Sequence, residues 1–139
     1  TDNAIEDSTY TGLKAFARAE LLHYQNRNTE ALAAYDSLLI SQKGKSIEDE
    51  ALLAQAILFE KNKEFNKAEQ NYIKITTLHK EDILADDAFY RLGNLYATVL
   101  NQPEKAKIQY EQIIFNFADS IFYVEAQQKY RKLRGDAIN

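Results

Sequence analysis

Two histidines, His23 and His79, are the only imidazoles in these 139 residues, and there is no cysteine. One falls on a predicted helix and the other in a loop, with no HExxH or equivalent spacing to supply the three or four ligands of a zinc site. No GxSxG elbow and no glycine-rich phosphate loop occurs either, so catalysis would fall on carboxylates alone. The acidic group Glu81, Asp82, Asp86 and Asp87 lacks the alternating ligands and central glycine of a calcium loop. Acids at a helix start are explained by the helix dipole, and the same dipole explains the basic group Lys129, Arg131, Lys132 and Arg134 at a helix end. These residues predict no catalytic centre, no metal and no cofactor, with both histidines on the surface or in a groove.

The elements that hold these residues are helices. Within 88–114, AFYRLGNLYATVLNQPEKAKIQYEQII, Phe89, Leu92, Gly93 and Tyr96 fall at i, i+3, i+4 and i+7, the spacing of one helical face. After a turn at Asn101 to Pro103, Ala106, Tyr110, Ile113 and Ile114 repeat the pattern, with the proline near the first helical position. Weaker copies lie upstream. Aligned on the second helices, Ala31/Tyr35, Ala68/Tyr72 and Ala106/Tyr110 are separated by 68−31 = 37 and 106−68 = 38 residues. Ala19/Leu22, Ala56/Phe59 and Gly93/Tyr96 keep the same register in the first helices. A fixed period of this size marks a helical-repeat array.

The pattern resembles the tetratricopeptide repeat through Phe89, Leu92, Gly93, Tyr96, Ala106 and Tyr110. The first two copies carry Arg18-Ala19 and Gln55-Ala56 where that family has Leu-Gly, no copy has the closing proline, and the linkers are long. HEAT-like or other helical-pair repeats, with a period of about 40, stand as the alternative. Degenerate repeats with long linkers, and a last helix opening Asp119-Ser120-Ile121-Phe122-Tyr123, are similar to bacterial cell-envelope scaffolds of this class. Those act in outer-membrane protein assembly or in coordinating wall synthesis, which implies a periplasmic or outer-membrane-associated location.

Composition agrees with a soluble helical fold: 45% hydrophobic and 27% charged residues, with one proline and four glycines to serve turns. No apolar run approaches the ~18 residues of a membrane span. The chain opens on Thr1 and contains no methionine, which suggests a piece of a longer protein whose signal peptide or lipid-attachment cysteine would lie upstream. Absence of cysteine excludes disulfides without identifying a compartment. A net charge of −4 argues against nucleic acid as a partner.

The expected architecture is all-α: a right-handed superhelical array of antiparallel helix pairs, three repeats plus a C-terminal capping helix, seven helices in all. Residues 1–8 read as a flexible lead-in and 9–139 as a single domain, with repeats at about 12–45, 49–80 and 86–118 and the capping helix at about 120–134. Helices are expected at 9–26, 30–42, 47–62, 65–78, 84–100, 103–117 and from Asp119 or Ser120 to Arg134. Asn28 or Thr29 is expected to cap the second helix, Ser46 with Asp49 to form a capping box for the third, and Gly44 and Gly135 to end helices.

In arrays of the resembled family the first helix of each pair lines a concave groove through positions 2, 5, 9, 12 and 13 of the repeat. Carried onto this sequence, these are Leu13, Phe16, Glu20, His23 and Tyr24; Glu50, Leu53, Ile57, Glu60 and Lys61; and Asp87, Tyr90, Asn94, Ala97 and Thr98. An apolar, aromatic floor with acidic edges suits a helix or extended peptide carrying Lys or Arg. The chaperone-tail clamp of that family needs Lys, Arg and Asn where this chain has Phe16, Glu20, Ile57 and Asp87, so that ligand is not expected. The expected function is a non-catalytic protein-interaction scaffold, with possible homo-oligomerisation. The alternative is a structural spacer or self-association module whose groove is filled by its own upstream repeats.

Overall fold

The computed structural model describes residues 2–80 and 82–135, residues 2–7 through their backbone. Among them the chain forms seven helices and no strand: α1 (Asp2–Tyr24), α2 (Asn28–Ser41), α3 (Glu48–Lys61), α4 (Phe65–Leu78), α5 (Ala85–Thr98), α6 (Pro103–Asn116) and α7 (Tyr123–Arg134). An all-α helical-repeat array is therefore what the chain builds.

The turn inside each helix pair rests on one left-handed residue. Asn26, Lys63 and Asn101 have φ of 61°, 62° and 52°, and 63−26 = 37 and 101−63 = 38 reproduce the sequence period. The backbone thus repeats where the residue type does not. Pro103 opens α6 at the first turn, and Gly135 closes α7 with φ 92°, both as expected.

Other helix ends differ from expectation. α1 starts at Asp2 rather than Thr9, because 2–11 holds no breaker and Asp2, Glu6 and Asp7 suit a helix N-terminus; Thr1 lies outside the described residues. α2 is capped at Arg27 without a side-chain bond, and Asn28 is already helical, its amide donating to Asn62 Oδ1 at 3.4 Å. The expected capping box before α3 does not form: Ile47 is the N-cap, and Asp49 Oδ1 accepts from the Glu50 N–H at 2.8 Å. α7 begins at Tyr123, since Ser120 Oγ accepts from the Phe122 N–H at 3.0 Å and closes a turn first.

The chain divides into two compact units, 1–71 and 72–139, with the division inside α4. In the first, α2 packs against α1 and α3, and α3 touches α1. Ala19, Ala31, Tyr35 and Leu58 form one buried cluster, and Leu38, Ile47 and Ala51 another. A polar chain, buried at Asn71 and Gln55 and reaching the surface at Asp36, ties three helices: Asn71 Nδ2 donates to Gln55 Oε1 at 2.8 Å and to the Leu52 carbonyl at 3.1 Å, and Gln55 Nε2 donates to Asp36 Oδ1 at 2.6 Å.

In the second unit α6 packs against α5 and α7. Gly93 is required there: a Cβ at that position would stand 2.6 Å from Tyr110 Cε1. The two units share one design, in which a third helix is seated on a pair. The Phe16 and Tyr35 rings lie 6.1 Å apart and tilted 55°, and their register counterparts Tyr90 and Tyr110 lie 6.3 Å apart and tilted 53°.

Candidate partner-binding face

The first helices carry the groove residues expected from sequence, and the units expose them unequally. On α1, Leu13 and Tyr24 are 53% and 89% exposed and Glu20 is exposed, while Phe16 and His23 are half-buried. On α3, Glu50 and Lys61 are exposed, Ile57 and Glu60 half-buried, and Leu53 buried. Phe16 is not an open anchor. It packs beside Tyr35 in one buried cluster and against the cluster of Leu38, Ile47 and Ala51.

On α5, Tyr90 and Asn94 are covered by the chain itself. Tyr90 is 8% exposed: its ring stacks on Phe122 at 4.6 Å, its hydroxyl donates to Glu125, and Lys129 Nζ lies 4.7 Å over the ring. Asn94 Oδ1 accepts from the Tyr110 hydroxyl at 2.6 Å and from Lys129 Nζ at 2.9 Å. Tyr90 and Asn94 therefore do not line an open groove. The reason is α7, whose buried Ala126 lets it sit close enough for Phe122 and Lys129 to reach over α5. Asp87 is held by Arg91 at 2.5 Å, Ala97 is half-buried, and Thr98 is exposed, its hydroxyl donating to the Asn94 carbonyl at 2.7 Å.

Two residues outside that set belong with its open part. Tyr10 and Leu21 are 67% and 56% exposed and share the outer side of α1 with Leu13 and Tyr24. Their i, i+3, i+11, i+14 spacing, which also falls on one helical face, was visible in the sequence, but α1 carries two apolar stripes, and the one through Phe16, Ala19 and Leu22 matched the repeat.

Electrostatics follows burial. Tyr35 is pushed up to about 12, by burial first and by the nearby Glu20 carboxylate second. Tyr110 is raised further by burial and then by Tyr90. Of the acidic group near α5, Asp82 and Asp86 bond the N–H of the following residue, and Glu81 lies outside the described residues. No group of three or more His, Asp or Glu among the described residues is placed to hold a metal. A hollow of about 430 Å³ in the second unit is lined by Lys80, Phe89, Gln112, Asn116 and Phe117, none of them in the expected set.

A buried small residue and a buried tyrosine on each second helix, with a left-handed turn one period apart, define the repeat. Residues 87–120 match the family model of the tetratricopeptide repeat. The chain carries a tetratricopeptide repeat. Its fold is similar to the crystal structure of a tetratricopeptide repeat protein from Parabacteroides merdae ATCC 43184, with TM-score 0.71 and 24% identity over 89% of this chain. The match spans 46% of that protein's chain, so this chain corresponds to about half of its length. No curated protein sequence matches. Tetratricopeptide repeats in general mediate protein–protein interaction and are non-catalytic scaffolds. No helix among the described residues is long and apolar enough to cross a membrane.

Proposed function

We propose that the chain is a non-catalytic interaction module that binds a partner polypeptide on the open side of α1. The observation that carries this reading is the exposure of Leu13 and Tyr24 around Glu20, which makes no ion pair among the described residues. Apolar anchors beside an unpaired carboxylate suit a partner segment with apolar side chains and a Lys or Arg. Tyr90 and Asn94 serve the molecule's own α7 in this reading.

The test is capture from native lysate by the immobilised chain, run beside a Leu13→Lys/Tyr24→Ser double variant. Both positions are exposed, so each change should alter stability by no more than about 0.5 kcal/mol, and circular dichroism checks the helices. A protein retained by the wild type and lost by the variant supports the reading. Equal retention by both removes α1 as the binding face.

In the third repeat the α5 side over Tyr90 is filled by Phe122 and Lys129, downstream of it, and not by upstream repeats as the spacer reading has it. A bacterial cell-envelope location rests on the degenerate, long-linker pattern and is tested by fractionating cells.

A further inference from the structure

The open side of α1 is a near-palindrome. Around Ala17, Tyr10 and Tyr24 stand seven residues away on either side, Leu13 and Leu21 four, and Lys14 and Glu20 three. At 3.6 residues per turn these seven positions fall within one arc of about 120°. All seven are exposed. Neither Lys14 nor Glu20 makes an ion pair among the described residues. Tyr10 and Leu21 also stand 47−10 = 37 and 58−21 = 37 residues before Ile47 and Leu58, which are buried where α3 seats on its neighbours. Leu13 and Tyr24 stand 37 residues before Glu50 and Lys61, which are exposed, so the stripe overlaps the helix-docking register through Tyr10 and Leu21 and carries apolar residues beyond it at Leu13 and Tyr24.

We propose that α1 pairs with α1 of a second copy, antiparallel, about a twofold axis at Ala17. This rests on the reading of that side as a partner-binding face and names its partner. Across such an axis Tyr10 meets the partner's Tyr24, Leu13 meets the partner's Leu21, and Lys14 meets the partner's Glu20. Every residue then faces its complement, which is the condition for an isologous interface. Ala17 at the centre lets the helices approach closely. Head-to-tail addition at α7 is disfavoured, because Gln127, Arg131 and Arg134 stand 38 residues after the apolar-facing Phe89, Gly93 and Tyr96. One helix pair buries less than the roughly 1,600 Å² of a standard interface, so the dimer is expected at a Kd on the order of 10 to 100 µM.

Sedimentation equilibrium of the 139-residue chain, over about 5 to 500 µM, tests this. A monomer–dimer equilibrium is expected, abolished over that range by Ala17→Glu. Lys14→Glu and Glu20→Lys should each weaken it at least tenfold, since each turns two attractive pairs repulsive. The double variant Lys14→Glu/Glu20→Lys should restore it. A chain that stays monomeric throughout, a dimer indifferent to Ala17→Glu, or two weakened single variants without rescue in the double variant each overturn the proposal. A monomer that still captures a lysate protein through Leu13 and Tyr24 overturns only the self-pairing, leaving the binding face standing with a different occupant. A monomer whose capture ignores those residues overturns both.

Discussion

Tyr35 and Tyr110 occupy the same register position, yet their hydroxyls meet different surroundings. Tyr110 donates to Asn94 Oδ1 at 2.6 Å, whereas the Tyr35 hydroxyl is buried with no hydrogen-bond partner among the described residues. At the position of Asn94, the first repeat has Glu20, which is exposed. An unpaired buried hydroxyl carries a desolvation cost that phenylalanine does not. Tyr35→Phe is therefore expected to be neutral or to stabilise by up to about 1 kcal/mol, while Tyr110→Phe should cost about 1 kcal/mol; urea denaturation of both compares them directly. At Gly93 the methyl of alanine would meet the Tyr110 ring at 2.6 Å. Gly93→Ala should cost about 1 to 3 kcal/mol by overpacking, read as a lower denaturation midpoint. Ala19 and Ala56, buried at the same register, show that the other repeats hold a methyl there.

Helices in this chain are ended by turns and held by the next helix. Lys63 takes φ 62° where its counterparts are Asn26 and Asn101. Both residues carry a Cβ that crowds the carbonyl in the left-handed region, but the short polar side chain of asparagine can hydrogen-bond to the local backbone and offset part of that cost, which the long side chain of lysine cannot. Lys63→Asn is expected to stabilise the chain by roughly 0.5 to 1 kcal/mol, and an unchanged thermal midpoint would show that this turn is not strained. α7 depends on Tyr90 through the Phe122 stack and the Glu125 bond. Tyr90→Ala should therefore cost about 3 to 5 kcal/mol and lower hydrogen-exchange protection in α7 first. Tyr90→Phe keeps the stack and should cost about 1 kcal/mol.

Across the whole molecule, burial suppresses the ionisation of Tyr35 in the first compact unit and of Tyr110 in the second. Both have folded pKa values above the ordinary value of 10.0. Above pH 10 the unfolded chain releases these protons while the folded chain keeps them, so stability falls as pH rises. The loss is at most about 1.4 kcal/mol per pH unit for each tyrosine. Below pH 10 the two tyrosines leave stability unchanged. Denaturation at pH 9 and pH 11 should show the fall, and Tyr110→Phe should make it shallower.

The repeat period, the helix pairs and the tetratricopeptide assignment were legible because small and aromatic residues recur at one spacing, and that spacing is local chemistry. Six helix spans were readable to within about three residues, since turns and Pro103 punctuate them. The open side of α1 was not readable. α1 has two apolar stripes, and only the packing of α2 and α3 decides that Phe16 is half-buried while Tyr10, Leu13, Leu21 and Tyr24 stay exposed. Likewise Tyr90 and Asn94 fit a groove by position, but Lys129 and Phe122, more than thirty residues further on, occupy it. Helix formation and register are set within a few turns of chain and are written in residue spacing. Exposure depends on which distant helix arrives at a face, and that only packing decides.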